Sequence, residues 1–145
     1  MEVIHLGAAL DPKLKPATDD ARYRWLGSVP HGRALRWLAS SHAMVISSRM
    51  EGGANVVCEA LRIGVPVLAS RISGNVGLLG ARYPGYFKRG DERALARLIT
   101  RAATDARFYR SLKAYVRELR PMVAPRAEAR ALLAALKGLP ASAGR

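Results

Sequence analysis

Glu51 and Glu59, with seven residues between them, bracket a Gly52-Gly53 turn within the run Ser47-Ser48-Arg49-Met50-Glu51-Gly52-Gly53-Ala54-Asn55-Val56-Val57-Cys58-Glu59-Ala60-Leu61. An ionised carboxylate accepts hydrogen bonds and donates none, and such a bond to a hydroxyl is worth roughly 1.5–3 kcal/mol. The paired hydroxyls of a ribose or hexose are natural partners. Glycines let the backbone take positive φ and let a ligand approach with no Cβ in the way. A helix opening directly after them leaves its first N–H groups without intrahelical partners. The macrodipole adds partial positive charge at the same point, and together these make an anion site. Carboxylates for hydroxyls beside N–H groups for a diphosphate suit a nucleotide-sugar. A plainer reading stands next to it: a buried βαβ turn with both glutamates solvated. Spacing alone does not choose between them.

The motif needs a strand before it and a stop behind it, and the chain has both. Ala43-Met44-Val45-Ile46 is a short apolar strand, and Gly64-Val65-Pro66-Val67-Leu68-Ala69-Ser70 gives a helix stop and another strand. Val56, Val57, Ala60 and Leu61 fall on one apolar stripe of the intervening helix, with Glu59 on its flank. Strands are expected at 3–6, 23–26, 44–46, 66–69 and 86–87, alternating with helical segments. That order predicts an α/β fold: a Rossmann-like parallel sheet with helices on both faces. The crossover over 11–21 carries Pro12 and Pro16 and should hold only a short or irregular helix. Residues 31–40 read as a helix with Leu35, Leu38 and Ala39 inward. Asp91 is placed to cap the next helix, with Leu95, Leu98, Ile99 and Ala102 at helical spacing. Thr104 or Asp105 opens another, with Phe108, Leu112, Tyr115 and Leu119 inward. Pro121 and Pro125 break the chain before a last helix over 127–136, and a disordered tail is expected over 140–145.

These ordered elements carry a resemblance. Residues 23–112 are similar to the nucleotide-sugar-binding, C-terminal half of the retaining glycosyltransferases of family 4. The matching pieces are Ser47-Ser48, Glu51, Gly52-Gly53-Ala54-Asn55, Glu59-Ala60, Gly64-Val65-Pro66-Val67 and Ser73-Gly74-Asn75, the last read as a turn. Trp25-Leu26-Gly27 precedes them and Gly90-Asp91-Glu92-Arg93-Ala94-Leu95-Ala96 follows. The family has the GT-B architecture, two Rossmann-like domains facing across a cleft. The resemblance implies that Glu59 binds the ribose hydroxyls and that Glu51, the one catalytic candidate, contacts the donor sugar near its reacting face. It implies that Gly52 and Gly53 give N–H groups to the sugar, and that Ala54, Asn55 and Val56 give theirs to the diphosphate. The loop Gly27-Ser28-Val29-Pro30 would pack the base, and Gly7, with Ala8, would sit under the nucleotide. Asn55 reads equally as a helix N-cap, and Arg49 and Arg71 either reach the anion or sit in solvent.

Two departures qualify the match. Gly53-Ala54-Asn55 stands where the family carries an aromatic or second glycine, which makes the acceptor side unusual. The family's diphosphate-clamping Arg and Lys belong to a stretch before the first residue of this sequence. A longer string is similar to the selenosugar synthases of selenoneine biosynthesis: Ser48 to Ala60 without a break, then Arg71-Ile72-Ser73-Gly74-Asn75-Val76-Gly77-Leu78-Leu79-Gly80 and Tyr83-Pro84-Gly85-Tyr86-Phe87. That family joins a UDP-hexosamine to selenophosphate. Another family-4 transferase with a different acceptor, or an inert nucleotide-sugar-binding module, stands as the alternative. By the resemblance the donor is a UDP-linked sugar, UDP-N-acetylglucosamine first, bound as substrate with no cofactor and no metal. The acceptor is an anionic small molecule, and an N-terminal acceptor domain or a partner chain would complete the enzyme.

Composition sets the outer limits. The 145 residues, half of them hydrophobic, suffice for one core and not for two domains. The expected division is one domain over 1–139, inactive alone, and the tail. Met1 leads at once into a strand, with no signal peptide and no apolar run near about 18 residues, so the expected location is cytoplasmic with no membrane partner. Cys58 is the only cysteine, which excludes an internal disulfide and reads as packing. His5, His31 and His42 show no metal-ligand spacing, and no residue is a convincing general base. The net charge is +13, from 24 basic residues of which 19 are Arg, and such a balance draws anions or nucleic acid. The arginines are scattered along helices with few interleaved aromatics, so nucleic acid is the disfavoured partner.

Overall fold

The computed structural model describes residues 1–8, 20–49 and 55–124. Five strands and five helices alternate through most of it. β1 (Val3–His5) and β2 (Tyr23–Trp25) are followed by α1 (His31–Ser40), β3 (Met44–Ile46), α2 (Asn55–Ile63) and β4 (Val67–Ser70). Next come α3 (Ser73–Leu79), β5 (Tyr86–Phe87), α4 (Glu92–Thr104) and α5 (Ala106–Leu119), and a 3-10 turn, Arg120–Val123, closes the described chain. Every strand pair is parallel, in two ladders ordered β1-β2 and β3-β4-β5. Val3 lies opposite Tyr23, Met44 opposite Val67, and Ala69 opposite Tyr86. Among the described residues, the second edges of β1 and β3 are unpaired.

β4 shows how the larger ladder is covered. Side chains alternate across a strand, yet all four residues of β4 are buried. Both faces of the ladder are therefore packed, the signature of a central parallel strand. The core joins Val67, Leu68 and Ala69 to Val57, Ala60 and Leu61 of α2, Leu79 of α3, and Phe108, Leu112 and Val116 of α5. β5 is too short to pair with the first half of β4, and a side chain takes its place. The Tyr83 hydroxyl accepts from the Val67 N–H at 3.1 Å and donates to the Val67 carbonyl at 2.7 Å. Burial pushes this phenol well above the ordinary tyrosine range. Gly85 must lie against that pair, since a Cβ there would come within 2.6 Å of both the Tyr83 ring and the Val67 carbonyl.

Helix boundaries follow local chemistry. Gly64, at φ +92°, ends α2. Its N–H and that of Val65 turn back to Leu61 and Ala60 at 3.2 and 2.8 Å, the pairing of a Schellman cap. Asp91 accepts from the Ala94 N–H at 2.8 Å and Asp105 from the Phe108 N–H at 2.9 Å, so both caps sit where expected.

Three expectations are corrected. Ala39 is exposed, because the inward line of α1 runs through Ala34, Leu35, Trp37 and Leu38, and Ala39 lies a further 100° round. Val56 is 40% exposed; the buried line is Val57, Ala60 and Leu61, and Val56 shares the flank of Glu59 three residues on. Ser73-Gly74-Asn75 is no open turn but the start of α3. Two glycines weaken its helical signal; fully buried Leu79 and a Tyr86 hydroxyl reaching the Asn75 and Gly80 carbonyls hold it. The expected helix over 127–136, the tail over 140–145 and most of the crossover over 11–21 lie outside the described residues.

Candidate functional site

In open α/β sheets, ligands bind beyond the carboxyl ends of the strands, and Arg49 and Arg71 lie there among the described residues. β3 runs into Ser47, Ser48 and Arg49; β4 into Arg71; β5 into Lys88 and Arg89. Ser48 is fixed from below. The Ser70 hydroxyl donates to its carbonyl at 2.8 Å, and Asn75 Nδ2 donates to the Ser70 carbonyl at 2.9 Å. Asn75 is fully buried, and its Oδ1 has no partner among the described residues.

α2 presents the carboxylate. Asn55 opens the helix and is exposed, and Glu59 follows one turn later on the same side. The Glu59 side chain is 24% exposed, with Oε1 3.0 Å from Nε2 of His31, the first residue of α1. Spacing expected Glu59 on the flank of the apolar stripe, and there it lies. The contact with His31 was not legible. The two residues are 28 positions apart, and only the packing of α1 on α2 brings them together.

The ends of β1 and β2 are tied to each other. The Gly7 N–H donates to the Gly27 carbonyl at 2.9 Å, and the Trp25 indole N–H donates to the Gly7 carbonyl at 2.8 Å. Gly7 is thus locked to the loop that begins at Gly27. Glu51, Gly52, Gly53 and Ala54 lie outside the described residues.

Positive charge rims the strand ends. Arg49 is exposed, and its carbonyl accepts from Arg89 Nη1 at 3.3 Å. The Arg71 guanidinium stands 5.2 Å over the Tyr86 ring. Lys88, Arg89 and Arg93 line an open hollow of about 410 Å³ with Gly90, Asp91 and Glu92. Sequence reading missed Lys88 and Arg89, although their position directly after β5 was the available signal. Among the described residues no group of three His, Cys, Asp or Glu side chains could hold a metal ion. None of the described helices is long and apolar enough to cross a membrane.

The chain is an α/β fold of parallel strands, with a half-buried carboxylate on α2 and basic residues beyond the carboxyl ends of β3, β4 and β5. The chain belongs to the group 1 glycosyl transferases, whose family model matches residues 20–119. The fold is similar to that of sucrose-phosphate synthase (Tll1590) from Thermosynechococcus elongatus, at 22% identity and a TM-score of 0.71, over 94% of this chain and 37% of that one. It is likewise similar to Anabaena Alr3699/HepE, solved in complex with UDP and glucose, at 18% identity and a TM-score of 0.72, over 95% of this chain and 41% of that one. The chain therefore spans about two fifths of these relatives' length. No curated protein matches it.

Proposed function

We propose that this chain is the donor-binding part of a glycosyltransferase, in the position of the C-terminal half of a family-4 GT-B enzyme. Glu59 carries the reading: a half-buried carboxylate one turn into the helix that follows β3, in a chain of the group 1 family. The relative solved with UDP and glucose supports a UDP-linked sugar as donor. In this reading Glu59 accepts the ribose hydroxyls and Glu51 contacts the sugar. Gly52 and Gly53 give N–H groups to the sugar, and Ala54, Asn55 and Val56 give theirs to the diphosphate. Gly7 and the loop after Gly27 lie against the nucleotide.

The chemistry follows from those positions. The diphosphate leaves the anomeric carbon, and its growing charge meets the N-terminus of α2, with Arg49, Arg71 and Arg89 nearby. Such fixed charges act without reorganising during the reaction. The acceptor approaches from a second domain, whose closure excludes water. Selenophosphate is the acceptor the motif string favours, with UDP-N-acetylglucosamine as donor; an acceptor of another kind leaves the donor side unchanged.

Millimolar binding needs about 4 kcal/mol. Two charge-assisted contacts at Glu59 and the helix N-terminus reach that figure, so the chain alone should bind UDP weakly and turn nothing over. Calorimetric titration of UDP and UDP-N-acetylglucosamine into the chain and into Glu59→Ala tests this. Weak binding that the substitution abolishes supports the donor reading. A folded wild type that ignores millimolar UDP overturns it.

A further inference from the structure

We propose that His31 is a positioning residue, which fixes the Glu59 carboxylate for the ribose and so sets the preference for ribonucleotide over 2′-deoxyribonucleotide donors. The inference rests on the donor reading of Glu59 and adds a residue that neither the motif nor the family match assigns. Nε2 of His31 lies 3.0 Å from one carboxylate oxygen, Oε1. A carboxylate only accepts, so the contact is attractive when Nε2 bears a proton. The other oxygen, Oε2, is left to receive a hydroxyl.

Fold stability does not account for the pair. The His31 side chain is 67% exposed, and exposed pairs of this kind add little to stability. Its effect falls on Glu59. A free glutamate side chain samples many rotamers, and a ligand that must order it loses affinity. Held by the imidazole, the carboxylate meets the ribose already oriented. His31 can do this because Pro30 turns the chain into α1 immediately before it, and α1 packs on α2.

Discrimination is the specific consequence. A site built to hydrogen-bond a hydroxyl rejects the analogue that lacks it far more strongly than a mobile group does. Calorimetry of UDP and 2′-deoxy-UDP with wild type, His31→Ala, His31→Gln and Glu59→Ala tests this. Circular dichroism on each variant confirms the fold. Wild type should prefer UDP by about tenfold or more, a single charge-assisted bond's worth. His31→Ala should lose most of that ratio by weakening UDP, with 2′-deoxy-UDP little changed. The Gln side chain places an amide N–H near the position of Nε2 and should restore most of the preference; mere packing loss would not be rescued this way. A ratio that survives His31→Ala but collapses in Glu59→Ala overturns the role of His31 and leaves the donor reading intact. Failure of the wild type to bind UDP, or binding indifferent to Glu59, overturns both.

Discussion

Asn75 is buried with one half of its amide used and the other idle: Nδ2 holds the Ser70 carbonyl, and Oδ1 meets no donor among the described residues. A buried polar group left unpaired costs about 1–3 kcal/mol, so the side chain is retained for what Nδ2 secures. Asn75→Ala should lower stability by about 1 kcal/mol, because the Ser70 carbonyl loses one of its two donors and keeps only the Ile72 N–H. Asn75→Asp should be worse, since it sets an acceptor against that carbonyl inside the core. Urea unfolding of the two variants beside wild type gives the order, and an Asp variant as stable as wild type would refute this account. The residue scale is also where sequence reading divides most sharply. Glu59 was legible because helical spacing alone puts it on a flank. Its partner was not, because no spacing rule joins His31 to a residue on another helix. Asn75 was read as part of a turn, and its value to Ser70 and Ser48 exists only once α3 folds over the end of β4.

Helix starts were the most legible elements. Asp91 and Asp105 stand directly before apolar stripes, and each accepts a backbone N–H from three residues on. The Asp105 carboxyl is held below its ordinary 3.8, first by the Phe108 N–H and with help from Arg101. A depressed folded value means the cap's contribution is complete above the unfolded value and fades as pH falls through the folded one. The melting midpoint should therefore drop on acidification below about pH 4, and Asp105→Asn, which keeps a capping oxygen but cannot ionise, should flatten part of that drop. Thermal melts stepped from about pH 6 to pH 2 check this; identical slopes for the two proteins would remove Asp105 from the acid response. α3 was the element hidden from sequence. Ser, two Gly and Asn form poor helix on their own, and tertiary contacts from Tyr86, Ser70 and the core decide its state. The parallel strands were legible almost to the residue, because short apolar runs between turn signals leave little choice. Their division into two ladders was not, since the pattern of a strand does not say which neighbour it pairs with.

Across the whole molecule the net charge of +13 is carried mainly on exposed arginines of the helices. Arg22 pairs with Asp20, Arg24 with Glu2 and Arg101 with Asp105, all in contact with solvent. Charge so far from zero makes the compact state repel itself, and salt screens exposed charges beyond about 10 Å at 0.1 M. The melting midpoint should rise by a few degrees between about 0.02 and 0.5 M sodium chloride, at neutral pH. A midpoint that falls across that range would show that surface ion pairs, not repulsion, dominate. The excess of basic residues was plain in the sequence; the gathering of Arg49, Arg71, Lys88 and Arg89 beside the strand ends needed the fold.

The two ladders share no strand pair among the described residues; α1 packs on α2, and Arg24 of β2 stands 5.8 Å over the Trp37 ring of α1. On the proposed reading a nucleotide rests its base against the loop after β2 and its ribose on Glu59, one foot on each side of that seam. Such a ligand is a rivet. It binds only when the halves are in register, so mass action makes occupancy and cohesion a single equilibrium. The empty chain then relies on helix packing for what the loaded chain draws from its substrate, and the seam is where fraying would begin.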